Sequence, residues 1–229
     1  MYPNAGLAGM ELLRREGIRV IFPQDQTCCG QPAFNSGYRR QARFAAQHFI
    51  DVFEDSEIIV CPSGSCVNMV RHHYVELFEN NPHWLQRAQD LANRTYEFSE
   101  YLVDVLGVDE LGANFEGRVA YHDSCHLLRN LRIREQPRRL LSRVSGVKFI
   151  EMHDADRCCG FGGSFSVKYA DISAAMVTDK VNNIIATGAD TVVGCDMGCL
   201  MNIQGRLSRK GSDIRVRHIA QILAGKAVK

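Results

Sequence analysis

One short phrase occurs twice in the chain: Thr27-Cys28-Cys29-Gly30 and, 130 positions on, Arg157-Cys158-Cys159-Gly160. Neighbouring Cα atoms sit about 3.8 Å apart, and a disulfide between adjacent residues needs a strained peptide. A vicinal pair is therefore a poor cross-link. Two neighbouring thiolates can instead reach different metals of one polynuclear centre. The glycines behind them let the backbone approach and aim N–H groups at negative sulfur. On this reading Gly30, Gly160, Gly162 and Gly163 belong to cofactor-binding loops.

The surroundings of the two phrases repeat as well, and this sets the architecture. Leu12 to Phe22 leads to Cys28 as Leu140 to Ile150 leads to Cys158. Each stretch predicts a helix end, a glycine cap and a short strand that delivers the loop. Helices follow over Arg39 to Phe53 and Ala170 to Thr187. Buried-type strands come next, Glu57 to Val60 and Asp190 to Val193. Each runs into a second cysteine loop, Cys61-Pro62-Ser63-Gly64-Ser65-Cys66 and Cys195-Asp196-Met197-Gly198-Cys199.

Strands alternating with helices predict an α/β fold with two pseudo-symmetric repeats. Each would have a parallel β-sheet flanked by helices, with cysteine loops at the strand C-termini. Between the repeats, His83 to Leu106 predicts mostly helix, with Trp84 as a packing residue. Gly107 to Gly117 reads as a linker. The expected units are 1–110 and 111–229, their cysteine loops facing a common cleft. The second opens on a strand, Arg118 to His122, and ends with a strand over Ile214 to Arg217 and a last helix.

Nine cysteines need a reason in a chain of 229 residues. An odd count and vicinal pairs argue against a disulfide scaffold, and reduced thiols in such number serve metal or redox chemistry. A net charge of +1 with no basic run leaves no signal for nucleic acid or an anionic membrane surface. No apolar run approaches the roughly 18 residues of a membrane span, so a cytoplasmic protein is expected. The candidate ligands are Cys28, Cys29 and Cys66 in the first repeat and Cys125, Cys158, Cys159 and Cys199 in the second. Aligning Cys66 with Cys199 sets Cys61 against Gly194 and Cys195 against Pro62. The roles of Cys61 and Cys195 therefore stay open.

Other signals are weaker. Tyr121-His122-Asp123-Ser124-Cys125-His126 puts imidazoles beside a thiol, yet a packed or surface histidine is the ordinary reading of each. His72 and His73 read as a helix-surface pair. Arg129 and Arg157 could neutralise a cluster's charge, although solvated arginines are the default. Gly160, Gly162 and Gly163 fall short of a nucleotide-binding fingerprint, and no flavin, nicotinamide or ferredoxin run is present. Zinc accepts four thiolates, so a zinc protein without turnover stands beside a redox subunit; no catalytic residue is assigned.

The order Cys125, Cys158-Cys159-Gly160, Cys199 resembles the CCG cysteine-rich domain found in heterodisulfide reductase and in iron–sulfur subunits of glycolate and glycerol-3-phosphate dehydrogenases. The wording of Cys28 to Gly37, Pro62 to Cys66 and Cys158 to Gly163 is closer still to the lactate-utilization protein A family. The resemblance implies iron–sulfur clusters, in the heterodisulfide reductase relatives a non-cubane 4Fe–4S cluster held by five cysteines. It also implies an oxidoreductase or electron-transfer subunit of a multisubunit system taking L-lactate to pyruvate. Its partners would be iron–sulfur protein B-like and protein C-like subunits, with homo-oligomerisation open. Zinc as a substitute metal and a heterodisulfide-reductase-like thiol/disulfide role are the alternatives.

The chain departs from the pattern in its closing spacings, Cys61-x4-Cys66 and Cys195-x3-Cys199, and in lacking a first-repeat counterpart of Cys125. That counterpart would fall before Met1. The expectation is a first repeat incomplete at its N-terminus, with a late start to the sequence, its Cys28-Cys29-Cys66 site empty, partial or zinc-filled and the second-repeat site the better occupied.

Overall fold

The computed structural model describes residues 3–225. Helix α1 (Pro3–Arg15) opens the chain, and α2 (Gln31–Asn35) and α3 (Arg39–Phe53) follow the first vicinal pair. Strand β1 (Ile59–Cys61) leads into α4 (Gly64–Asn68), which runs through a widened π-turn (Met69–His73) into α5 (Tyr74–Phe78). Next come α6 (Pro82–Asn93), β2 (Thr95–Glu97), α7 (Phe98–Glu100) and a second π-turn (Tyr101–Val105). The later half begins with β3 (Asn114–His122), a third π-turn (His126–Asn130), α8 (Glu135–Ser142) and β4 (Ser145–Ile150). It continues with α9 (Phe165–Lys168), α10 (Ala170–Ala186), β5 (Thr191–Gly194), α11 (Met197–Arg209), β6 (Arg215–His218) and α12 (Ile219–Leu223).

Both sheets are parallel, as expected. β1 and β2 form a two-stranded sheet, while the second has the order β4-β3-β5-β6. β5 is buried along its whole length, the usual condition of a parallel strand covered on both faces.

The pseudo-symmetry is visible in the strand ends. Cys61 of β1 lies opposite Glu97 of β2, as Gly194 of β5 lies opposite His218 of β6. Glu97 and His218 then cap α7 and α12, each in a reciprocal capping box.

Three cores hold the layers. One gathers Cys29, Phe34, Ala42, Ala46, Ile59 and Met69 in the first repeat. A second gathers Cys159, Val177, Val181, Val192, Cys199 and Ile203 on one face of the larger sheet. The third, on the other face, unites residues from either side of position 110, among them Leu12, Phe98, Tyr121, Leu140, Val193 and Leu223. Among the described residues no helix is long and apolar enough to cross a membrane.

Three local expectations are corrected. Arg19 to Phe22 forms no strand, and Ile21 and Phe22 are 68% and 53% exposed. Its second-repeat counterpart, β4, is held by β3. Among the described residues no strand lies beside Arg19 to Phe22; the Phe22 carbonyl accepts only a local bond from the Gln24 side-chain amide at 3.4 Å, and a strand does not exist without a partner strand. The run His83 to Leu106 is interrupted by β2, where Thr95 and Tyr96 favour extension once β1 offers an edge. The linker gives way to β3 at Asn114, four residues early.

Candidate metal centre

Each vicinal pair sits in a loop anchored by the helix that follows. Gly30 (φ 86°) and Gly160 (φ 76°) both adopt the left-handed conformation, which glycine reaches without steric cost. Both also press on a helix: a Cβ on Gly30 would lie 3.1 Å from Ala45 Cβ, and one on Gly160 would lie 2.8 Å from Ser173 O. The turned backbone points an N–H back at sulfur, with Gly160 donating to Cys158 Sγ at 3.4 Å and Gly30 doing the same for Cys28. The second carbonyl of each pair is pinned from inside, Cys29 O by the Tyr74 hydroxyl at 2.9 Å and Cys159 O by the Asn202 amide at 2.8 Å. Gly162 and Gly163 continue the second loop with positive φ, and the Cα of Gly163 faces open space.

In the first repeat the thiols form a chain. Cys29 and Cys61 both donate to Cys66, so Cys66 is held well below the usual thiol range despite its burial. Cys29 and Cys61 are pushed up, mainly by those same bonds to neighbouring thiols. Cys28, exposed at the loop tip, is held at about 6, chiefly by its contact with the neighbouring Cys29 thiol. The structure thus brings Cys61 together with Cys28, Cys29 and Cys66.

In the second repeat the charge rests elsewhere. Cys125 and Cys159 donate to Cys158, the first cysteine of the pair, and hold it far below the usual range. Their own thiols rise for the same reason, and Cys159 also meets Cys199. Cys125, Cys158, Cys159 and Cys199 are therefore one group. Cys195 is not among its contacts: it is buried and lies 3.1 Å from the Tyr121 hydroxyl.

Strand periodicity explains why two cysteines that look alike in sequence part company. Side chains alternate faces along a strand. Ile59 and Cys61 share the face of β1 that joins Cys29 and Cys66. On β5 the same face carries Val192 and then Gly194, while Val193 and Cys195 turn to the opposite core with Tyr121. One residue of offset flips the side chain.

The loops that carry the two groups are tied together at a seam between the repeats. Asp196 opens α11 where Ser63 opens α4, and the Ser63 hydroxyl caps its own helix. Asp196 instead reaches across. It accepts from Ser65 N–H at 2.9 Å, from the Ser65 hydroxyl at 3.1 Å and from Ser124 at 3.3 Å. Burial, and then the Cys66 thiolate, raise its pKa to about 6. Gly64 lies against Leu127, where a Cβ would come within 2.9 Å. His126, half-buried at this seam, has its pKa lowered by burial and His73 and raised by the thiolates of both Cys158 and Cys66.

Sequence reasoning missed Asp196, Lys180 and the position of His122. Lys180 is wholly buried and donates to the Asp154 and Ala155 carbonyls at 2.7 and 3.0 Å, just before the second pair. Burial lowers its pKa to about 8, with Cys159 among the groups that pull it back up. No local pattern marks these residues; the one available signal was an aspartate at an N-cap equivalent to Ser63. Arg129 and Arg157 are exposed and engage Asp156 and Asp179, and His73 pairs with Glu76 at the surface. Trp84 is half-buried and stacks on Phe78, as a packing residue should.

Two groups of four converging cysteines, each with a backbone N–H aimed at sulfur, form a donor set suited to thiophilic metal. With this geometry the chain matches the CCG cysteine-rich domain over residues 1–71 and 119–204. It belongs to that family. It is 48% identical over 223 residues to lactate utilization protein A of Oceanobacillus iheyensis, covering 97% of this chain and 91% of that protein. It is 49% identical over 220 residues to lactate utilization protein A of Bacillus subtilis, covering 96% and 92%. It is 47% identical over 223 residues to lactate utilization protein A 2 of Bacillus cereus, covering 97% and 92%.

Proposed function

We propose that the chain is the iron–sulfur subunit of a multisubunit system that oxidises L-lactate to pyruvate. The observation that carries this reading is the pair of four-cysteine groups on loops joined through Asp196 and Ser65, in a chain nearly half identical to proteins named for lactate utilization. Cys28, Cys29, Cys61 and Cys66 would hold one cluster and Cys125, Cys158, Cys159 and Cys199 the other. A bound iron–sulfur cluster supplies one-electron transfer. The protein's own residues do the rest. The Gly30 and Gly160 N–H groups offset sulfur charge, Lys180 adds a buried cation beside Cys159, and Asp196 locks the two loops together. The lactate-activating cofactor would reside on protein B-like or protein C-like partners, since the chain carries no motif for one.

The test is anaerobic purification followed by iron and acid-labile sulfide analysis and a visible spectrum. A brown protein with both elements is expected, with absorbance bleached by L-lactate only when the partner subunits are added. A colourless protein that retains zinc would overturn the iron–sulfur reading. Lactate turnover by the isolated chain would overturn the electron-relay role.

A further inference from the structure

We propose that His122 supplies an imidazole nitrogen to the metal centre of the second repeat, in the place that the Cys61 thiol takes in the first. The inference rests on the cysteine groups binding metal, as read above.

Its first support is proximity. A ring nitrogen of His122 and the sulfurs of Cys159 and Cys199 all lie within 4.8 Å of one another, and all three residues are buried. Its second is the state of the ring. His122 is 1% exposed, yet neither ring nitrogen has a hydrogen-bond partner among the described residues. An imidazole buried without partners loses hydration for nothing in return. A metal bond at one nitrogen gives it a reason to be there.

Position supplies the third support. His122 ends β3 and stands opposite Gly194 on the neighbouring strand. Register partners in parallel strands point to the same face, here the face of Val192, Cys159 and Cys199. Gly194 is the pseudo-symmetric counterpart of Cys61, by its pairing with His218 as Cys61 pairs with Glu97. Where the first repeat places a thiol, the second has a glycine with no side chain and, one strand over, an imidazole. The two centres therefore differ in kind: thiols alone in one, thiols and imidazole in the other.

The experiment uses the full chain with its first repeat emptied by Cys66→Ser, reconstituted anaerobically with iron and sulfide and grown on 14N- or 15N-histidine. After one-electron reduction, pulsed EPR should reveal a strongly coupled nitrogen whose frequencies follow the isotope. The coupling should survive His126→Ala, which removes the ring 4.0 Å from Cys125 Sγ, and vanish in His122→Ala. No isotope-dependent coupling in the parent, or its loss in His126→Ala alone, overturns the assignment. The parent measurement stands whether or not a His122 variant folds. Should the parent retain neither iron nor sulfide, the iron–sulfur reading fails while the ligand assignment remains open to a direct reading. The Co2+-loaded parent should then show a paramagnetically shifted imidazole N–H proton that His122→Ala removes, and its absence from the loaded parent overturns the assignment. In an iron–sulfur centre, His122→Cys should keep the metal and lower the midpoint potential, because imidazole in place of thiolate raises it. A potential unmoved by that change counts against ligation.

Discussion

The two cysteine groups share a motif, a loop and a glycine turn, yet they settle their charge differently. In the first repeat the thiol held furthest below its usual range is Cys66, at the start of the helix after β1, with Cys61 helping to hold it and Cys28 lowered less. In the second it is Cys158, inside the vicinal pair, while Cys195 has left the group for the far face of the sheet. A duplicated sequence motif thus fixes the loop but not the donor set. The donor set depends on what the neighbouring strand and the strand register deliver.

The largest effects should come from the hubs. Cys66→Ser and Cys158→Ser are each expected to abolish metal binding in their own repeat, lowering metal per chain by about half, with far-ultraviolet circular dichroism unchanged because the α/β cores stand without metal. Metal lost from both repeats in either variant would mean that the groups form one centre. Cys61→Ser should likewise deplete the first site, whereas Cys195→Ser should leave metal content intact. The reverse result would show that register does not sort these cysteines.

Next come the turns. Gly160→Ala is expected to destabilise by about 3–4 kcal/mol, combining left-handed strain with a collision against Ser173 O and Met176 Cβ. Gly30→Ala should cost about 2 kcal/mol, since its nearest contacts are looser. Denaturant unfolding of the metal-free protein measures both. Equal losses would say that the φ strain alone matters.

The paired helix caps should separate by pH. Burial holds His218 at about 4, below its ordinary 6.5. The unfolded chain then binds more protons between those values, and stability falls as pH drops from 6.5 to 4, by about 3 kcal/mol. Burial raises Glu97 to about 7 from 4.5. Here the folded chain binds more protons, so stability falls as pH rises from 4.5 to 7, by a similar amount, about 3 kcal/mol. His218→Gln should therefore leave a protein relatively more stable in acid, and Glu97→Gln one relatively less so. Parallel pH profiles for the two variants would break the comparison.

Much of this was legible beforehand. Arg39 to Phe53 and Ala170 to Ala186 are helices almost to the residue, because long amphipathic runs with glycine at their borders leave few alternatives. β1 and β5 were within one or two residues for a similar reason: a short β-branched run is cut off by a turn. β2 was not legible. Three residues inside a helical stretch become a strand only because β1 needs a neighbour. Conversely, Arg19 to Phe22 has the composition of a strand and no neighbouring strand among the described residues. Asp196 was passed over because its partners, Ser65 and Ser124, lie 131 and 72 residues away.

By itself the sequence determined the duplication, the parallel α/β class, the vicinal cysteine loops and the family. Those depend on local spacing, glycine placement and hydrophobic period, all properties of contiguous residues. Only the tertiary structure decided which cysteines keep company, that Asp196 ties one repeat to the other, and that His122 comes to lie beside Cys159 and Cys199. Strand register and sheet order set those relations. A side chain changes face with a single residue of offset, and strands that become neighbours in space are separated along the chain by whole helices.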